Sequence, residues 1–213
     1  MKVSSIALAL LALAFAPSAF AGVLVLENGA KQINGVTVSK GGKMVVQGRT
    51  TNLITMGAGL RSRFSLFPVY VGELLVNDNK AYVCDSAKAL DSLKNLNAIA
   101  MRLTFVRAIG MSDLQKAFTD GFDNNNVDSD AAIKQFMDAV NKGGDIPNGA
   151  VLSFTGEKLS DGEAVTYENA KGVAVTVKGG AGFVRNIFSL WLGDTGSDSG
   201  LKALRDKLVS CQI

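Results

Sequence analysis

Arg61 stands two residues after a small-residue turn, Gly57-Ala58-Gly59, at the head of a run to Val76 rich in Phe, Val, Leu and Tyr. A cation in that setting is either solvated at a sheet rim or aimed at an anion in a pocket. The guanidinium suits the second job because its planar fork holds an oxyanion through parallel N–H donors. The first job needs a carboxylate such as Glu73 or Asp194, since an unpaired charge against an apolar cleft is costly. Tyr70 can add a phenol hydrogen bond to the same ligand, or act as a core aromatic. Arg102 and Thr104 lie on the polar side of a later strand, where they either line the cleft or face solvent. Phe183, Ile187, Phe188 and Trp191 recur at helical spacing and form either a pocket wall or the core.

The remaining chemistry is mostly excluded. The sequence has no histidine, which removes the commonest general base and the commonest transition-metal ligand. Ser-His-Asp, Cys-His and His-metal sites are therefore ruled out. Asp145, Asp161, Asp194 and Asp198 sit beside or near glycines, but without the spacing and closing glutamate of a calcium loop; turn chemistry accounts for them. Gly179-Gly180-Ala181-Gly182 precedes a helix but lacks the partners of a phosphate cradle, and reads as a flexible entry to that helix. No metal or cofactor is expected. The net charge of +3, with no basic block, favours neither nucleic acid nor a membrane surface as partner.

These residues need a scaffold. Lys2, the apolar run Ile6 to Ala16 and the Ala19-Phe20-Ala21 site read as a signal peptide over residues 1–21, cleaved after Ala21. Residues 22–213 then form one exported, periplasmic domain. No run approaches the ~18 apolar residues of a permanent membrane span. Export makes a disulfide between Cys84 and Cys211 available, which would tie down the C-terminal end; two free thiols are the alternative.

Strands are expected at Val23–Leu26, in a hairpin over Val36–Val46 turning at Gly41-Gly42, and from Asn52 to Met56. A long central strand follows from Arg63 to Val76, with a bulge or edge at Pro68. Others are expected at Ala98–Val106, Ala150–Phe154, Glu163–Tyr167 and Gly172–Val177. Helices are expected from Asp85 or Ser86 to Leu96, from a Ser112 cap to Phe122, and from Asp130 to Val140. Two more close the chain, the first stopping at Gly193. This order predicts an α+β fold with an antiparallel sheet carrying helices on one face.

Three segments, "GAGLRSRFSLFPVYVGELLV", "MRLTFVRAIGMSDLQKAFTDGF" and "FVRNIFSLWLGDTGSDSGLKALRDKLV", make the chain resemble the chalcone isomerase-like family, in particular its exported bacterial members. The resemblance implies an open-faced β-sandwich, a large antiparallel sheet covered by a helical layer, with a ligand cleft between them. Plant members of that family cyclise chalcones; others bind fatty acids. The family arginine after the G-x-G motif matches Arg61, which implies contact with a phenolate or a carboxylate. The threonine of the isomerases is matched by Pro68. Their helical tyrosine and asparagine have no counterpart over Ser112–Phe122. Their substrate-facing threonine or serine falls at Leu190. A cation retained in apolar surroundings fits an acyl chain with an anionic head better than a polyphenol. The implied function is a non-catalytic binder of a fatty-acid-like or other small amphipathic anion; the alternative is an isomerase of the intramolecular lyase type. The oligomeric state is left open.

Overall fold

A computed structural model describes residues 22–64 and 66–212. The signal peptide expected over residues 1–21 lies outside the described residues. Eight strands form one antiparallel sheet in chain order: β1 Leu24–Ile33, β2 Val36–Val46, β3 Arg49–Arg63, β4 Phe67–Val76, β5 Ala98–Phe105, β6 Val151–Leu159, β7 Gly162–Glu168 and β8 Ala174–Gly179. Between β4 and β5 lies the short helix α1, Ala89–Ser92, which runs into a 3₁₀ turn over Leu93–Asn95. Between β5 and β6 lie α2, Met111–Asn124, and α3, Ala131–Asn141. After β8 come α4, Phe183–Leu192, and α5, Ser199–Val209.

The period-two alternation of the strands assigns the two sheet faces. Tyr70, Leu74, Val76, Ile99, Met101, Leu103, Phe105, Leu152, Phe154, Val165 and Tyr167 point into one buried core with the apolar stripes of α2 to α5. The opposite face carries Glu73, Leu75, Ala98, Ala100, Arg102 and Thr104, which alternate with them. No helix covers that face, but the β1–β2 hairpin and the start of β3 cover part of it, placing Val23, Met44, Val46 and Leu53 against Leu75, Ala98 and Ala100. Arg49 Nη2 donates to Glu157 Oε1 at 2.8 Å, and the Val23 amide donates to Glu168 Oε2 at 3.2 Å, so the flap is fastened to β6 and β7. Alanines at positions 98 and 100 leave room for it.

Two turns fall elsewhere than expected. The first hairpin turns at Asn34-Gly35 (φ 47° and 79°), not at Gly41-Gly42. Asn-Gly at positive φ is the favoured two-residue hairpin turn because it matches strand twist. Gly41 lies inside β2, where a Cβ would sit 2.6 Å from the Leu53 carbonyl. Arg63 to Val76 is likewise not one strand. The turn at Phe64 and Leu66 divides it into the end of β3 and the start of β4. The bulge expected at Pro68 is present: Arg61 pairs with Tyr70 but Ser62 with Pro68, leaving Val69 as the extra residue.

The helix ends follow capping chemistry with two corrections, the first being that the helix expected from Asp85 or Ser86 begins only at Ala89, after Lys88 as an N-cap without a side-chain bond. Asp130 caps α3 by accepting from the Ile133 amide at 2.8 Å. Ser112 does not cap α2. Gly110 holds the N-cap position, and Asp145 Oδ1 takes the Met111 amide at 2.8 Å from across the 141–149 loop. Cys84 and Cys211 are bonded, with Cα atoms 5.7 Å apart across 127 residues of chain. The bond fixes the segment after α5 to the α1 region.

Candidate functional site

Gly57 and Gly59 belong to the extended interior of β3, not to a turn. Their faces are bare because α5 lies directly on them. A Cβ on Gly57 would meet the Lys207 and Leu208 backbone, and one on Gly59 would meet the Lys207 side chain at 2.8 Å. Opposite Gly59 in β4, Gly72 leaves space for Leu204. The G-x-G spacing is thus the seat of α5. Arg61 is the next residue on the same face, under the N-terminal end of that helix.

Asp198 joins the two elements. Its Oδ1 accepts from the Leu201 amide at 2.8 Å as the N-cap of α5, and its Oδ2 receives Arg61 Nη2 at 2.5 Å. The Arg61 side chain retains 16% of its exposure and that of Asp198 36%. The partner foreseen for Arg61 was Glu73 or Asp194. Glu73 points to the other face, and Asp194 Oδ1 instead accepts from the Gly196 amide at 2.9 Å. Asp198 was read only as a turn acid, because no local pattern links an N-cap to a strand 137 residues away.

The Arg61 guanidinium carbon lies 5.8 Å from the centre of the Tyr70 ring, and Tyr70 tilts against Phe105 at 5.3 Å. Burial pushes the Tyr70 phenol above its ordinary value, against the opposing pull of the Arg61 guanidinium and the Trp191 indole N–H. The phenol is therefore a neutral donor at physiological pH.

Behind this pair the space between helices and sheet is filled with rings. Trp191 lies 5.0 Å from Phe154 and 5.9 Å from Phe118, and Phe136 is 6.2 Å from Phe154. Phe183, Ile187 and Leu190 all point into this layer and are buried. Phe183 packs on Gly179 and Leu190 on Gly121. The helix α2 extends to Asn124, whose side chain is exposed; the Asn125 amide holds the Gly121 and Asp194 carbonyls. Neither amide faces Arg61.

Arg102 and Thr104 do not join the group. They alternate with Leu103 and Phe105, so they lie on the flap side of the sheet, opposite Arg61. The physical reason is the odd–even offset: Arg61 pairs with Tyr70 and Tyr70 with Phe105, whereas Arg102 pairs with Glu73. There Arg102 Nη1 donates to Glu73 Oε1 at 3.0 Å. The fully buried Glu73 also accepts the Ser39 amide and hydroxyl at 2.7 Å each, and Thr55 shares a 3.0 Å hydrogen bond with that hydroxyl. This polar group holds the flap to the sheet, and the sequence reading missed it. The Thr104 hydroxyl is buried without a partner.

A cavity of about 300 Å³ opens at the other end of α4, also unforeseen. Leu93, Leu96, Ile99 and Val184 line it, together with charges of both signs, Lys94 and Lys158 with Glu157 and Glu163. Among the described residues no three metal-ligating side chains come together, and no helix is long and apolar enough to cross a membrane.

A sequence profile described as chalcone isomerase-like matches residues 30–204. The chain belongs to the chalcone isomerase-like family. No curated sequence matches it. Among solved structures, this chalcone isomerase-like chain is similar to a fatty-acid binding protein of Arabidopsis thaliana. The two are 17% identical with a TM-score of 0.54, over 79% of this chain and 96% of the other. At that identity the likeness establishes the α+β open-faced sandwich, with its antiparallel sheet and helical layer.

Proposed function

We propose that this chalcone isomerase-like chain is an exported, periplasmic, non-catalytic binder of a small amphipathic anion such as a fatty acid. The carrying observation is Arg61: a largely buried cation on the helix-covered face, over the Tyr70 ring, paired with Asp198 and otherwise backed by apolar and aromatic side chains. A carboxylate head would take the place of Asp198 on the guanidinium, with Tyr70 as a second donor. The acyl chain would pass between the N-terminal end of α5 and the sheet, where Leu204 and Trp191 now close the space. The likeness to a fatty-acid binding protein supports this reading. The Cys84–Cys211 bond supports export to an oxidising compartment.

A second reading, an intramolecular lyase, draws on the phenol and the carboxylate beside Arg61. Against it, both Asp198 oxygens are engaged in this arrangement, one by the helix cap and one by Arg61.

The test is native mass spectrometry with lipid extraction on protein purified from the periplasm, beside Arg61→Ala. Fatty acids should co-purify with the wild type and be lost from the variant. A wild type that is empty and retains no added fatty acid would sink the binder and turn attention to isomerase assays.

A further inference from the structure

The β3–β4 hairpin ends in an apolar tip. Phe64 is 74% exposed, Leu66 76% and Phe67 53%, whereas every other described phenylalanine is buried. Three large apolar side chains in four positions form a patch of the kind that marks a contact surface, unlike scattered exposed residues. The backbone at the tip is also unusual. Phe64 holds φ 51°, a left-handed conformation that a bulky residue adopts only at a cost, and such strain concentrates at functional positions. The Leu66 amide donates to the Arg63 carbonyl at 3.2 Å.

The charges beside the tip are cationic. The Arg63 guanidinium lies 5.4 Å from the Phe64 ring centre. Arg107 follows β5 at the same sheet end, where the Val106 amide donates to the Val69 carbonyl at 3.0 Å. Both arginines are exposed, and among the described residues neither pairs with an acid. Asp198 is paired with Arg61. Aromatic and aliphatic side chains flanked by arginines match an anionic bilayer, which takes rings at the headgroup level and binds cations through phosphate. A net charge of +3 does not report so local a pattern.

We infer that this tip docks the protein on an anionic phospholipid surface, with Phe64, Leu66 and Phe67 entering the interface and Arg63 and Arg107 on phosphates. The inference stands apart from what Arg61 binds, although the tip lies three residues from it. The test is flotation of protein purified from the periplasm with phosphatidylglycerol–phosphatidylcholine vesicles and with pure phosphatidylcholine vesicles. Wild type should float with the anionic vesicles, and less so as salt rises. A Phe64→Ser, Leu66→Ser double variant should bind at least about tenfold more weakly, and Arg63→Glu should weaken binding with no change in fold. As a second readout, Phe64→Trp should be quenched by brominated lipid. Wild type failing to float, or the double variant floating equally well, would overturn the inference. So would a wild-type dimer dispersed by the double variant without any vesicle binding, since a second copy would then be the occupant.

Discussion

At the scale of single residues, position on one face or the other decides what a polar group does. Arg61 and Arg102 are both cations on neighbouring parts of one sheet, yet Arg61 meets the helix layer and Arg102 the flap. Arg102 holds a carboxylate that is wholly out of water. Replacing it with Met should destabilise the fold by about 2–3 kcal/mol in urea titration, less than for a fully buried pair because the arginine side chain is a quarter exposed. Binding at Arg61 should be unchanged. The tyrosines give a pH dependence. Burial pushes the Tyr167 phenol up to about 12, and its hydroxyl has no partner. Below its ordinary value of 10.0 the phenol is protonated in both folded and unfolded chains. Above it only the unfolded chain ionises readily, so stability is lost as pH rises from about 10 through 12. Tyr70 and Tyr82 shift in the same direction. Tyr167→Phe should change stability by no more than about 1 kcal/mol at pH 7 and make the alkaline decline of the urea midpoint shallower.

At the scale of elements, glycine carries most of the ambiguity. Gly57 and Gly59 looked like a turn, and so did Gly41-Gly42, because a glycine needed for close approach is spelled like a glycine needed for positive φ. The helix that sits on Gly57 and Gly59 is more than 140 positions later in the sequence. Asn34-Gly35 carries a local turn signal, but the β-branched runs on either side of Gly41-Gly42 imitate a hairpin there. By contrast β5, α3 and α4 were legible almost to the residue, since their periodicity and ends are local. Gly57→Val would push a side chain into the Lys207 carbonyl and Leu208 backbone. The expected cost is about 1–3 kcal/mol, read as a lower urea midpoint. A midpoint equal to wild type would mean that α5 is not seated on β3 as described.

At the scale of the whole molecule, one sheet serves two cores. The helix layer and its aromatic cluster occupy one side, and the N-terminal flap the other. The fold class was legible because the order of elements and the family resemblance agree. The flap was not, because Ala98 and Ala100 are uninformative in isolation and their cover comes from Val23, Met44 and Val46 far upstream. The candidate site was half legible: Arg61 and Tyr70 stand together, while their assignment with Arg102 and Thr104 required the strand register. The Cys84–Cys211 bond closes 127 residues of chain and fastens the C-terminal end of α5, while Asp198 and Arg61 fasten the other. Reduction should lower stability by up to about 4–5 kcal/mol, seen as a lower melting temperature in dithiothreitol. The proposed binding would require the Asp198 end of α5, held by an ion pair and not by a covalent bond, to lift.

The most direct measurement is therefore a calorimetric titration of dodecanoate into three forms: wild type, Asp198→Asn and Arg61→Ala. Asparagine is as good an N-cap as aspartate, so Asp198→Asn keeps the bond to the Leu201 amide while removing the charge that competes for Arg61. The expected result is tighter binding by Asp198→Asn, by about tenfold, and loss of binding in Arg61→Ala. Equal affinity in wild type and Arg61→Ala, or no binding by any of the three, would contradict the assignment of Arg61 to an anionic head group.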